Sequence, residues 1–182
     1  MPSFTVLERA KHIKVLALDV DGILSDGRLI FSNNGEETKA FDVRDGLGMK
    51  LVQESGVKIV IITGRMSNIV KQRMDSLGVD LVIQGREDKG IALAEACKQL
   101  NIQPSDCAYM GDDWPDLGAL AMAGLAVTVP NAHHEVRRRA HLVTQASGGR
   151  GAVRELCDVI LQAKGVYDDM LARFLAVRGE MH

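Results

Sequence analysis

The chain has 182 residues, of which 46% are hydrophobic and 25% charged, and its formal net charge is -2. This composition is that of an ordinary globular domain, and the charge argues against a nucleic-acid or membrane-surface protein. Aromatic residues make up only 4%, which disfavours a base-stacking surface. The N-terminus lacks the apolar core of a signal peptide, no apolar run is long enough to cross a bilayer, and the three cysteines have no C-x-x-C spacing. We therefore expect one reduced, cytoplasmic domain over residues 1–182.

Short apolar runs alternate with stretches of helical period along the chain. The predicted strands are Val15–Leu18, Val57–Ile62, Leu81–Ile83, Cys107–Met110, Ala126–Val129 and Leu142–Thr144. The predicted helices are Asp45–Glu54, Ser67–Leu77, Lys89–Leu100, Asp116–Met122, His133–Arg139 and Gly151–Lys164. This alternation predicts an α/β fold with a three-layer, doubly wound, mostly parallel sheet. Ligands of such sheets bind at the carboxyl ends of the strands.

The first strand runs directly into two carboxylates, Asp19 and Asp21, in the stretch "KVLALDVDGILSDG". In an extended segment, residues i and i+2 point the same way, so both side chains are expected to face one site. Because an ionised carboxylate is costly to bury without a partner, the pair predicts a nearby cation or hydrogen-bond network.

A β-hairpin over residues 27–43 interrupts the alternation. Asn34-Gly35 is a hairpin-turn signal, and an isolated hairpin is marginally stable in water. Leu29, Ile30 and Phe31 place apolar groups on it, so we expect it to pack against a neighbouring subunit. The alternative is that it folds back on its own core.

Two further strand ends carry phosphate-binding groups. Thr63, Gly64 and Arg65 end the strand "IVIITGR", and Lys89 follows the next strand in "QGREDKG". A hydroxyl, main-chain N–H groups and an ammonium suit a phosphate. Each is weak evidence alone, because Thr-Gly is a common turn and a lone lysine is usually solvated.

An acidic cluster follows the strand Cys107–Met110 in "YMGDDWPD". Its carboxylates, Asp112, Asp113 and Asp116, either belong to a polar turn that caps a helix or join the first pair around a cation. Several carboxylates at one sheet edge favour Mg²⁺.

The combined set fits phosphoryl transfer. An aspartate attacks phosphorus, Mg²⁺ offsets the repulsion between anions, and Lys89 stabilises the developing charge. A second carboxyl protonates the leaving oxygen and then deprotonates water, and Asp21 is placed for that role.

The four motifs D-x-D-G, T-G-R, the single Lys and G-D-D-x-x-D together resemble the haloacid dehalogenase superfamily of phosphatases. The resemblance implies that Asp19 is the nucleophile and a Mg²⁺ ligand, that Asp21 is the acid/base and binds Mg²⁺ through its main-chain oxygen, and that Asp112 is the third protein ligand. An aspartate at position 21 favours a phosphatase, since dehalogenation leaves no alkoxide to protonate.

The remaining roles also come from the resemblance. Thr63 and Lys89 would hold the phosphoryl oxygens, and Asp113 and Asp116 would orient the metal shell. The gaps between the motifs are too short for a cap domain, so the chain resembles the capless type.

Within the superfamily, the segments "FDVRDGLGMK", "ITGR", "GDDWPD" and "GGRGAVRE" resemble the 3-deoxy-D-manno-octulosonate 8-phosphate phosphatase family of lipopolysaccharide precursor synthesis. The resemblance implies a homotetramer assembled through the hairpin, with a phosphorylated sugar acid as substrate. It also implies a set of substrate-binding residues: Asp21, Asp42, Val43, Arg44, Asp45, Gly46, Lys50, Gly64, Arg65, Arg73 and Lys89. One basic residue of that set would come from a neighbouring subunit. Without the resemblance, Arg73 would be interpreted as part of a solvated helix face.

Several alternatives stay open. The Gly148–Gly151 loop either binds an anion or simply precedes the last helix. The tail over residues 165–182 is more apolar and helical than the tail that the family uses to reach a neighbour's site. The substrate is alternatively a related sialic-type 9-phosphate or another small phosphate ester. A phospho-acceptor signalling module also uses Asp, Thr and Lys, but the third strand here ends in "VIQG" without the acceptor carboxylate.

Overall fold

The computed structural model describes residues 3–176. Their strands are β1 (Val15–Leu18), β2 (Ile30–Phe31), β3 (Glu37–Thr38), β4 (Lys58–Ile62), β5 (Leu81–Ile83), β6 (Cys107–Met110), β7 (Leu125–Thr128) and β8 (Leu142–Val143). Six of them form one sheet in the order β5-β4-β1-β6-β7-β8, and every neighbouring pair is parallel. The predicted α/β fold with a parallel sheet is therefore confirmed.

The helices are α1 (Phe4–Lys11), α2 (Val43–Glu54), α3 (Asn68–Leu77), α4 (Lys89–Leu100), α5 (Leu117–Met122), α6 (His134–Arg137), α7 (Ala152–Ala163) and α8 (Tyr167–Ala176). α1 and α2 both pack against α7, and α4 packs with α5, so that helices flank the sheet. Over residues 3–176 no second domain covers the carboxyl edge of the sheet, in agreement with a capless chain.

The predicted boundaries of the sheet strands and helices lie within two residues of the observed ones. α1 was not predicted; the Ser3 hydroxyl accepts from the N–H of Val6 (3.3 Å) and caps it. The helix predicted from Asp116 begins one residue later, at Leu117 of α5, and follows a 3₁₀ turn, Trp114–Asp116. Pro115 favours such a start because it has no N–H to place in a helical bond.

The central position of β1 explains its sequence. All four of its residues are buried, because a central parallel strand is covered on both faces. Leu18, its last residue, pairs with Ile61 of β4 and Met110 of β6. The strand ends are thus in register, and the residues that follow β1, β4 and β6 emerge side by side at one edge.

The hairpin of β2 and β3 lies outside the main sheet. Gly35 has a φ of +80°, which confirms the predicted turn, but Phe31 pairs with Glu37 and the loop therefore spans residues 32–36. The two-residue turn typical of Asn-Gly is not formed, since only the glycine has a positive φ. The hairpin exposes about half of Leu29 (48%), Ile30 (49%) and Phe31 (56%).

The C-terminal tail is helical as far as Ala176, as its apolar spacing predicts. α8 packs against α7 and leaves Leu171, Phe174 and Leu175 substantially exposed. Residues 177–182 of the predicted tail lie outside the described residues. Among the residues described, no helix combines the length and apolar character needed to cross a membrane.

Candidate active site

Asp19 lies at the end of β1 and is only 5% exposed. Its N–H donates to the carbonyl of Met110 (3.0 Å), which continues the sheet ladder one residue past the strand. One of its carboxylate oxygens, Oδ1, accepts from the N–H of Val20 (2.7 Å), and the other, Oδ2, lies 2.8 Å from Lys89 Nζ. The sheet and these two partners fix the carboxylate at the mouth of a cleft.

Lys89 reaches the same cleft from the first turn of α4. Its Nζ lies 2.8 Å from Asp19 Oδ2 and 2.8 Å from Asp116 Oδ1. Burial by itself would lower the pKa of Lys89, but the two carboxylates outweigh it and raise the pKa above its usual value. The ammonium therefore stays charged in the cleft.

Asp116 organises the loop after β6. Its Oδ1 also accepts from the Tyr109 hydroxyl (2.7 Å), and its Oδ2 accepts from the N–H groups of Asp112 (2.9 Å) and Asp113 (3.0 Å). Burial raises the pKa of Tyr109, so that its hydroxyl remains a donor. Asp113 is more exposed, and its carboxylate caps the 3₁₀ turn by accepting from the N–H of Trp114 (2.9 Å).

Three carboxylates converge closely enough to bind one cation. One oxygen from each of Asp19, Asp112 and Asp116 lies within 4.8 Å of the others. Burial and repulsion from Asp116 raise the pKa of Asp19 to about 8 and that of Asp112 to about 7. A divalent cation would relieve this repulsion, and the hard carboxylate oxygens of Asp19 and Asp112 fit Mg²⁺, whereas both oxygens of Asp116 already accept hydrogen bonds.

Gly22 allows the D-x-D-G motif to approach the G-D-D-x-x-D motif. Gly22 has a φ of +92°, and a Cβ there would lie 2.0 Å from Asp112 Oδ2. A Cβ at Gly148 would lie 1.7 Å from the Gly22 carbonyl oxygen, and the N–H of Gly149 donates to the carbonyl of Ile23 (2.8 Å). The Gly148–Gly151 loop therefore packs against the turn that follows Asp21.

Thr63 ends β4 and is 2% exposed. Its N–H donates to the carbonyl of Ile83 (2.9 Å), and its Oγ1 accepts from the N–H of Arg65 (3.4 Å). Thr63, Gly64 and Arg65 all line the cleft.

Asp21 lies in a network of ion pairs with Lys39, Arg65 and Glu37, of which only Arg65 was predicted from the sequence. Its Oδ1 lies 2.5 Å from Lys39 Nζ, and its Oδ2 lies 3.9 Å from Arg65 Nε. Glu37 joins both cations, at 3.3 Å from Lys39 Nζ and 2.9 Å from Arg65 Nη2. Lys39 was not singled out because a lysine on a short hairpin is usually solvated, whereas here its side chain is 1% exposed.

The predicted phosphoryl, metal and acid/base residues thus lie in one cleft. Its lining includes Asp19, Asp21, Thr63, Gly64, Arg65, Lys89, Asp112, Asp113 and Asp116. The structure brings all nine together from four strand ends, as the motif order predicts.

The other predicted substrate-binding residues lie outside the cleft of a single chain. Asp42 caps α2 by accepting from the N–H of Arg44 (2.8 Å), and the Arg44 side chain pairs with Asp42 and with the carbonyl of Arg150 (3.0 Å). Asp45 is 1% exposed and accepts from the N–H of Arg154 (2.8 Å) at the start of α7. These contacts join α2 to the Gly148–Gly151 loop and α7.

Four more of that set, Val43, Gly46, Lys50 and Arg73, lie on α2 and α3. The Arg73 guanidinium packs against Gly46, where a Cβ would meet Nη2 at 2.5 Å. Val43 is 77% exposed, and Lys50 is exposed as well. Their substrate-binding role stays a prediction.

A capless doubly wound sheet with an aspartate pair, a threonine, a lysine and an acidic loop at its carboxyl edge defines a haloacid dehalogenase-like hydrolase. A family model of that description matches residues 82–156. The 3-deoxy-D-manno-octulosonate 8-phosphate phosphatase of Escherichia coli K12 is 45% identical over 92% of this chain and 89% of its own.

Two solved structures agree. The phosphatase of the same name from Moraxella catarrhalis, in complex with magnesium, phosphate and the sugar acid, is 48% identical with a TM-score of 0.92, and covers 93% of this chain and 97% of that one. The cobalt-bound Haemophilus influenzae enzyme is 38% identical with a TM-score of 0.85, over 87% and 93% of the two chains. The chain therefore belongs to the 3-deoxy-D-manno-octulosonate 8-phosphate phosphatase family.

Proposed function

We propose that this protein is a Mg²⁺-dependent phosphatase that hydrolyses 3-deoxy-D-manno-octulosonate 8-phosphate to the free sugar acid and phosphate, in lipopolysaccharide precursor synthesis. The observation that carries the proposal is the position of Asp19. Its carboxylate is buried at the end of β1, 2.8 Å from the Lys89 ammonium, in a cleft that also contains Thr63 and Asp21. The family membership of the chain supports the choice of substrate.

In the first step a carboxylate oxygen of Asp19 attacks phosphorus, and the bond from phosphorus to the sugar oxygen breaks. The leaving oxygen takes a proton from the Asp21 carboxyl group, which lines the same cleft. The products of this step are the free sugar acid and an aspartyl-phosphate at Asp19.

In the second step Asp21, now a carboxylate, accepts a proton from water as the water oxygen attacks phosphorus. The bond to Asp19 breaks, and the nucleophile is regenerated. Lys89 and Thr63 bind the phosphoryl oxygens, and the fixed ammonium stabilises the negative charge that develops on them. Lys89 also disfavours protonation of Asp19, its ion-pair partner.

The metal would be held by the carboxylates of Asp19 and Asp112 and the main-chain oxygen of Asp21, with Asp113 and Asp116 orienting its surroundings. When bound, Mg²⁺ neutralises the repulsion between the nucleophile and the phosphate anion. Asp116 contributes by holding the Asp112 N–H and by pairing with Lys89, which fixes both groups relative to Asp19.

We further propose a homotetramer of single-domain subunits, each over residues 1–182. The exposed apolar residues of the hairpin, Leu29, Ile30 and Phe31, would pack against equivalent residues of other subunits. Arg73, Lys50 or the Asp42–Gly46 segment would then bind the sugar acid across a subunit boundary. An arginine suits a carboxylate through paired hydrogen bonds.

We place the enzyme in the cytoplasm. The odd number of cysteines and the lack of C-x-x-C spacing support this assignment, because they do not suggest a disulfide framework.

A panel of phosphate esters tests the proposed function. Purified protein is incubated with 3-deoxy-D-manno-octulosonate 8-phosphate, a sialic-type 9-phosphate, a hexose 6-phosphate and p-nitrophenyl phosphate, with Mg²⁺ or with EDTA. We expect the highest kcat/KM for the first substrate and no release of phosphate in EDTA. A preference for the 9-phosphate would support the alternative substrate, and hydrolysis that persists in EDTA would contradict the Mg²⁺ requirement.

A further inference from the structure

The Lys39 side chain is buried, although a lysine on a short hairpin is usually solvated. It follows β3, yet its side chain is 1% exposed and its Nζ lies 2.5 Å from Asp21 Oδ1. Burying an ammonium is costly unless charges compensate it. The compensation comes from Asp21 and from Glu37, whose carboxylate is 3.3 Å away.

A positive group lies near each oxygen of the Asp21 carboxylate. Lys39 lies at Oδ1, while the Arg65 guanidinium lies 3.9 Å from Oδ2. Glu37 bonds to Arg65 (2.9 Å) and so links the two cations. The carboxylate is thereby held between two positive groups that are themselves tied together.

Lys39 contacts Asp21 without lining the cleft. Asp21, Arg65, Thr63 and Lys89 line the cleft, whereas Lys39 is not among its lining residues. Any influence of Lys39 on the reaction would therefore pass through Asp21.

We propose that Lys39, tied to Arg65 through Glu37, is a positioning residue that orients the Asp21 carboxyl group toward the leaving oxygen. This inference rests on the proposed function, in which Asp21 is the acid/base. It has a structural consequence, because Lys39 belongs to the hairpin. The geometry of proton transfer then depends on how the hairpin is seated, and subunit assembly through the hairpin would couple to the rate.

The test uses the dependence on the leaving group. An alkoxide requires protonation as it leaves, whereas p-nitrophenolate leaves without it, so a misplaced Asp21 slows only the first kind of ester. Because general acid catalysis contributes about 10²–10⁴-fold, Lys39→Met is expected to lower kcat for 3-deoxy-D-manno-octulosonate 8-phosphate by about 10–100-fold. The kcat for p-nitrophenyl phosphate should change less than about threefold, with KM nearly constant for both.

Two further variants complete the design, one at Lys39 and one control outside the network. Lys39→Arg keeps the positive charge and should restore at least part of the lost rate. Lys71→Met is the matched control, since Lys71 also forms a 2.6 Å ion pair, with Asp75, but on the exposed surface of α3. It should leave both substrates unaffected.

The outcomes separate this inference from the proposed function. Equal losses for the two substrates with Lys39→Met would mean a general structural role, and a raised KM for the sugar acid phosphate alone would mean substrate contact; either result overturns the inference. Asp21→Asn is measured alongside. If Asp21→Asn also fails to distinguish the two leaving groups, the acid role in the proposed function is wrong, whatever Lys39 does.

Discussion

Gly22→Ala is expected to disable the active site while leaving the fold largely intact. The new Cβ would lie 2.0 Å from Asp112 Oδ2, whereas an ordinary contact begins at 3.4 Å. The carboxylate must therefore retreat by about 1.4 Å, and misplacement of a reacting group by about 1 Å costs roughly 10²-fold in rate. Because a side-chain end can swing aside more easily than backbone, the adjustment displaces Asp112, the proposed metal ligand, and spares the core.

Gly56→Ala is the matched control. Gly56 has a φ of +89°, close to the +92° of Gly22, but nothing lies within 4 Å of the position of its Cβ. Both variants pay the cost of a left-handed alanine, about 1–2 kcal/mol. In a chain of this size that lowers the melting temperature by about 2–8 °C.

The assay combines phosphate release, a Mg²⁺ titration and thermal unfolding. We expect Gly22→Ala to lower kcat/KM by about 100-fold or more and to raise the Mg²⁺ concentration for half-maximal rate. We expect Gly56→Ala to show the melting shift alone. The reasoning is refuted if the two variants have the same activity and the same Mg²⁺ dependence.

Three further predictions concern the nucleophile, a buried carboxylate and the hairpin. Asp19→Asn is expected to abolish phosphate release without changing the circular dichroism spectrum, because an amide is a poor nucleophile, and turnover at the wild-type rate would contradict the assignment. Burial raises the pKa of Asp45 to about 6, so the folded state holds a proton that the unfolded chain releases near its usual pKa of about 4. The free energy of unfolding should therefore fall as the pH rises from about 4 to 6, and Asp45→Asn should reduce that slope in urea titrations; identical slopes would contradict the shift. Phe31→Asp places a charge on the exposed hairpin and should convert the proposed tetramer to smaller species by light scattering, whereas an unchanged mass would show that assembly does not use this surface.

The sequence predicted the sheet and the cleft because both depend on local pattern. A buried parallel strand is a short apolar run, and the polar residue that ends it lies by necessity at the carboxyl edge. Three strands, β1, β5 and β6, have the predicted bounds to the residue, and Asp19, Thr63, Lys89 and Asp112 lie together as their positions after strands require.

Other features depend on contacts between residues that are distant in the chain. Lys39 meets Asp21 only when the hairpin folds back, and Gly22 meets Asp112 only when β1 and β6 are adjacent. Neither of these two contacts produces a periodic pattern in the sequence from which it could be predicted. The same is true of Asp45, whose burial follows from the packing of α2 on α7.

Sequence alone thus determined which side chains reach one edge of the sheet. The length of each strand and the alternation of strands with helices can be recognised from local patterns of apolar and polar residues. The tertiary structure decided which of those side chains are held, and by what. It buried the Lys39 side chain against Asp21 and placed Arg73 against Gly46, outside the cleft of its own chain. The physical reason is that burial and ion pairing depend on the complete surroundings of a group, and most of those surroundings come from other segments.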